Sequence, residues 1–157
     1  MFRRSSLNNI RFPEVRTQGE DTLFLLKFIE ENELFSYSNL GLYHYHRDSV
    51  GSFTKQKWGK ASLGYTSFYR ALYQSMVSNG VREAIPGTQK KYLENLFSTY
   101  IRCSQRGYPE TKEYLEEMSC QRNEIMHASL LNPVVKLDMI VCITFPKLGR
   151  MINFWYK

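Results

Sequence analysis

Between Tyr92 and Gly107 the residues Tyr92, Leu93, Leu96, Phe97, Tyr100 and Ile101 recur three and four apart, with Lys91, Glu94, Asn95 and Arg102 opposite them. This is the 3.6-residue period of an α-helix, and its wide apolar stripe must be covered by other elements. Gly107 supplies the left-handed residue that commonly ends such a helix. The neighbouring segments share the period. Tyr65, Phe68, Tyr69, Leu72, Met76 and Val77 predict an earlier helix stopped at Asn79-Gly80, and a Pro86-Gly87 turn leads into the Tyr92 helix. Tyr114, Leu115, Met118 and Ile125 predict a later one. Pro109 can open it, because a first-turn proline forfeits only an amide that has no partner there. Glu110 and Glu113 suit its positive N-terminus, and Asn132-Pro133 discourages continuation, so one helix over 110–131 is expected.

Upstream, Leu23, Phe24, Leu26, Phe28, Ile29, Leu34 and Phe35 follow a plausible Asp21 N-cap and predict a first helix of about 15 residues. Downstream, Val134 to Phe145 is too uniformly apolar to show a period, which leaves a helix or a buried strand, with a helix preferred. The expected fold is an all-α antiparallel bundle of four to five helices with a loop-rich insertion around 36–64. Residues 1–20 carry Arg3, Arg4, Arg11 and Arg16 with Pro13 and Gly19 and no periodicity, which reads as a basic N-terminal arm ahead of a single helical domain over 21–157.

A chain of 157 residues is one domain by length, and 43% hydrophobic residues with 15% aromatic are typical of a folded protein. The formal charge of +6 favours polyanions, nucleic acid first among them, against the plainer alternative of a solvated basic surface. Cys103, Cys120 and Cys142 are odd in number and widely spaced, which fits neither a disulfide framework nor a zinc site and favours a reducing compartment. No apolar signal region follows Met1 to Ser6, and Met139 to Phe145 is too short to cross a bilayer, so the expectation is a soluble, cytoplasmic protein with no membrane association.

Two features of the 36–64 region carry chemistry. Lys55, Lys57 and Lys60 surround Trp58, cations around a stacking surface, and are candidate contacts for single-stranded RNA; the plainer reading is a loop pinned to the core by Trp58. His44 and His46 would share a face of an extended segment, with Asp48 offering an oxygen, but a fourth ligand is missing and no metal or other cofactor is expected. There is no phosphate-binding glycine loop and no serine or cysteine nucleophile motif.

Arg122 is the least expected residue of the 110–131 helix, because about 100° per residue places it in line with Leu115, Met118 and Ile125. A guanidinium on an apolar stripe needs a carboxylate, a backbone terminus or an anionic ligand. Asn123 and His127, four apart, share a helix face, whereas Arg122 and His127 diverge by about 140°. One straight helix therefore cannot aim both at one phosphate; a bend or a second copy of the segment would.

The segment Arg122-Asn123-Glu124-Ile125-Met126-His127-Ala128 resembles the motif of the HEPN superfamily of ribonucleases, in which an Arg and a polar residue, often Asn, precede a His followed by a small residue. The resemblance is specific over those seven residues and extends elsewhere only to a small basic helical bundle. It implies a homodimer whose two motif copies line one cleft, and metal-independent cleavage of RNA, with Arg122, Asn123 and His127 as catalytic residues. The chemistry suits these residue types. RNA carries its own nucleophile, the 2′-hydroxyl, so proton transfer by His127 and charge stabilisation by Arg122 suffice. Asn123 would either fix the imidazole or donate to a phosphate oxygen. The resemblance further implies a toxin, abortive-infection or CRISPR-linked role, with an antitoxin or other regulatory partner. Members paired with a nucleotidyltransferase antitoxin carry Tyr two residues after the His, where this chain has Ser129. The alternatives are a HEPN-like module that binds RNA or a nucleotide without cutting, and a helical protein-interaction domain in which Arg122 is ion-paired to Glu116, Glu117 or another acid.

Overall fold

The computed structural model describes Leu7, residues 10–12, 20–32 and 59–146, the side chains of Lys60 and Ala61 excepted. The chain is all-α. Its helices are α1 (Glu20–Glu31), α2 (Gly64–Ser78), α3 (Ile85–Arg106), α4 (Thr111–Cys120), α5 (Arg122–His127) and α6 (Pro133–Thr144), with a 3-10 turn at Lys60–Leu63 and no strand among the described residues. None of these helices is long and apolar enough to cross a membrane. Two compact units meet within α2, one ending at Phe68 and the other beginning at Tyr69.

In the first unit Phe24 and Phe28, four apart on α1, bury one face of the helix together with Ile10, and Leu7 packs on the same cluster. Phe12 stacks on Phe24 with ring centroids 4.2 Å apart, so this part of the expected basic arm contributes apolar side chains to α1. Asp21 lies inside the first turn rather than ahead of it, and its carboxylate accepts from the Thr22 amide at 2.8 Å. The remainder of the arm, Leu34, Phe35 and the insertion up to Trp58 lie outside the described residues.

The second unit holds the main core. Leu93 and Leu96 of α3, Met118 of α4, Ile125 of α5 and Met139 and Cys142 of α6 are completely buried in one cluster. Burying side chains of this size contributes about 1.5–3 kcal/mol each. The Tyr92–Ile101 stripe is therefore buried as its period predicts. Helix α3 begins at Ile85, which places Pro86 inside its first turn and not in a turn before it. Both α2 and α3 end on a left-handed glycine. At Gly107 (φ 66°) the Tyr108 amide reaches back to the Cys103 carbonyl at 3.0 Å, satisfying an acceptor the helix end would otherwise leave unpaired. No atom lies within 4 Å of a Cβ built on Gly107, so Gly107→Ala meets only the backbone penalty. It is expected to cost about 1 kcal/mol in urea unfolding; an unchanged midpoint would show that the left-handed cap contributes nothing.

The segment over 110–131 is not one helix. It breaks at Gln121 (φ −88°, ψ 10°) and again after His127, where Ala128 is extended (ψ 105°). Ser119, Cys120 and Asn123 are poor helix formers, so little intrinsic preference opposes the first break. The second lets Leu131 turn into the core and frees Asn132 to cap α6, its Oδ1 accepting from the Val134 amide at 2.8 Å ahead of Pro133. The apolar run from Val134 is the helix α6, with Met139 and Cys142 inward and Val134 and Leu137 exposed.

Candidate active site

The break at Gln121 decides where the motif points. A straight helix would put Arg122 in register with the buried Met118 and Ile125, but the changed ψ at Gln121 turns the chain, and Arg122 emerges exposed as the first residue of α5. Asn123 and His127 are exposed as well, while Ile125 is completely buried and anchors the helix. Arg122 makes no ion pair among the described residues, so the pairing to Glu116 or Glu117 that the interaction-domain alternative required is not seen among them. Glu117 is taken by another residue: the Arg70 guanidinium donates to it through Nε at 2.7 Å and also through Nη2.

Among the described residues His127 has one hydrogen bond, between Nδ1 and the Asn123 carbonyl oxygen at 2.8 Å. A carbonyl oxygen can only accept, so in this geometry Nδ1 carries the proton. In the neutral imidazole Nε2 then keeps its lone pair, with no hydrogen-bond partner among the described residues. The backbone of Asn123 thus fixes the ring. Its side-chain amide is exposed.

Two clamps from α2 and α3 hold the chain on either side of Gln121. On α4, Glu117 accepts from Arg70 of α2 and from the Tyr92 hydroxyl of α3 at 2.5 Å. On α5, Glu124 accepts from the Tyr73 hydroxyl of α2 at 3.0 Å and from the Gln89 amide of α3. The order of partners shows that α3 runs antiparallel to α4 and α5. Tyr73 and Tyr92 stack between the clamps with centroids 5.9 Å apart. Burial and the adjacent Glu117 push the Tyr92 phenol well above its ordinary value, and burial with Glu124 raises Tyr73, so both remain protonated donors at neutral pH. Burial works against the charge on Arg70, yet Glu117 outweighs it and its pKa is raised. An open cleft of about 300 Å³ lies here, lined by Arg70, Tyr73, Gln74, Tyr92, Cys120 and Gln121 together with Glu117, immediately before Arg122.

None of Arg70, Tyr73, Gln89, Tyr92 or Glu117 stood out as a site residue in the sequence. Their only signal is pairwise spacing: Arg70 and Tyr73 are three apart, as are Gln89 and Tyr92, and Glu117 and Glu124 are seven apart. Lys55, Lys57 and Trp58 lie outside the described residues, and Lys60 opens the 3-10 turn with its side chain likewise outside them. His44, His46 and Asp48 also lie outside; among the described residues no group of three potential ligands could hold a metal ion. All three cysteines are free, with burial pushing Cys103 and Cys142 up to about 11, as unreactive core thiols. Comparison with protein-family models, with curated proteins and with solved structures gives no match for this chain.

Proposed function

We propose that the protein is a HEPN-type endoribonuclease that cleaves RNA by attack of the 2′-hydroxyl on the adjacent phosphate. His127 is the proton-transfer group, Arg122 stabilises the charge developing on the phosphoryl oxygens, and the Asn123 amide donates to one of them. The observation that carries this reading is the state of His127: Nδ1 is engaged by the Asn123 carbonyl and Nε2 is free on the surface, on the same short helix that leaves Arg122 exposed and without an ion pair among the described residues. This is how a general base is oriented, with one ring nitrogen held by a backbone acceptor and the other presented to substrate. A structural Arg122 ion pair loses support, because its candidate partner Glu117 is engaged by Arg70.

Arg122 and His127 remain about 140° apart around α5, so the active site is composite, with Arg122 and His127 of two copies meeting across a two-fold axis. Exposed apolar residues next to the motif, Met126 and Leu130 with Val134 and Leu137 of α6, give such a homodimer its apolar contact. The basic chain holds RNA electrostatically, and Lys55, Lys57, Trp58 and Lys60 are further candidate RNA contacts by their charge and stacking surface. The setting is the cytoplasm, and the role is that of a toxin or antiviral defence effector restrained by an antitoxin or other regulatory partner.

The deciding experiment is incubation of the purified protein with single-stranded RNA in excess EDTA. The expected products carry a 5′-hydroxyl on one side and a 2′,3′-cyclic phosphate or its hydrolysis product on the other, and replacing the substrate with DNA abolishes cleavage. Absolute dependence on a divalent metal would refute the mechanism. Binding of RNA with no cleavage would leave the non-catalytic module.

A further inference from the structure

The two clamps have the same arrangement, each a carboxylate that accepts from one residue of α2 and one of α3. Arg70 and Tyr73 are one turn of α2 apart, Gln89 and Tyr92 one turn of α3 apart, a separation of about 4.5 Å along each axis. They grip carboxylates seven residues apart, Glu117 just before the break and Glu124 within the six-residue α5. So short a helix has little cooperative stability of its own, so its direction has to be imposed by its surroundings. Inward it has the buried Ile125, with Ala128 buried at its C-terminal end, apolar contacts that fix its depth and carry no directional hydrogen bond. Glu124 adds the second point, because both of its donors reach the same oxygen, Oε2, from two different helices.

We propose that Glu124, held by Tyr73 and Gln89, is a positioning residue that fixes the rotation of α5 and with it the direction of Arg122 and the Asn123–His127 pair. Glu117, held by Arg70 and Tyr92, fixes the end of α4 from which α5 departs. The catalytic part of this inference rests on the ribonuclease reading; the mechanical part does not. Glu124 donates no proton and touches no substrate. What it supplies is an acceptor oxygen at a fixed place, and a carboxamide oxygen can occupy that place.

The test compares Glu124→Ala, Glu124→Gln and Tyr73→Phe in the full chain by amide hydrogen exchange and by single-turnover and steady-state RNA cleavage. Ile140→Val in the packed part of α6 serves as a control that destabilises without touching either clamp. Glu124→Ala is expected to speed exchange of the Ile125 to Ala128 amides at least tenfold while α3 and α6 keep wild-type rates. It should also lower kcat at least tenfold with KM within about threefold, the pattern of a misaimed catalytic group. Glu124→Gln should restore most of both, since it keeps the acceptor and loses only the charge, and Tyr73→Phe, which keeps the ring stack and removes one donor, should fall between. Exchange in α5 unchanged by Glu124→Ala would overturn the proposal, as would an equal kcat loss in Ile140→Val. Failure of Glu124→Gln to rescue would make the carboxylate a charged participant and also overturn it. If wild type cleaves no RNA, the ribonuclease reading fails and the exchange data alone decide whether the clamp positions α5.

Discussion

Replacing His127 with Ala, or Arg122 with Ala, is expected to lower the rate of RNA cleavage by about a hundredfold or more, the usual scale for a proton-transfer group or an electrostatic stabiliser. Both side chains are exposed, and among the described residues His127 makes only a hydrogen bond within its own helix, so thermal unfolding should move little in either variant and the loss can be read as chemistry. Arg122→Lys should rescue poorly, because an ammonium cannot present two parallel N–H groups to a phosphate. The proposed composite site adds a sharper expected result. In a mixed dimer of wild type with the Arg122→Ala, His127→Ala double variant, each half-site lacks one of its partners, so activity should fall well below half. A mixed dimer retaining half would place all the chemistry within one chain, and full activity of His127→Ala would remove the mechanism altogether.

The second large effect lies within the same six residues. Ile125→Ala empties a completely buried site between α5 and the core shared with Met118 and Met139, and is expected to cost about 2–5 kcal/mol, from the lost transfer energy and the cavity left behind. Against a typical total of about 5–15 kcal/mol for a domain, this is enough to unfold a large fraction of molecules on mild warming. Urea denaturation should show a lower midpoint with an unchanged slope. A loss under about 0.5 kcal/mol, the range of surface substitutions, would mean that Ile125 is not the anchor of α5. The two experiments separate what the motif does from what holds it. Arg122, Asn123 and His127 are exposed, and Ile125 between them is buried in the core.

The sequence by itself determined the class of fold and the extent of its most periodic elements. The Tyr92–Ile101 stripe and the Asn79-Gly80 and Gly107 stops are local properties, fixed by side-chain period and by which residues tolerate a left-handed backbone, and the helices follow them. The apolar run from Val134 was readable only as helix or strand, because uniform apolarity carries no period; packing of Met139 and Cys142 into the core made it a helix. The motif was legible as a string of residues and its geometry was not. Reading 110–131 as one helix put Arg122 on the buried stripe, since periodicity assumes unbroken backbone angles, and one ψ of 10° at Gln121 removes it. On either side of Gln121, Glu117 and Glu124 accept from Arg70, Tyr73, Gln89 and Tyr92, which lie between 25 and 51 positions away in sequence. No local pattern reports such partners. Only the tertiary structure brings side chains of α2 and α3 to the carboxylates on either side of the break, because hydrogen bonding between residues distant in sequence depends on how the helices pack.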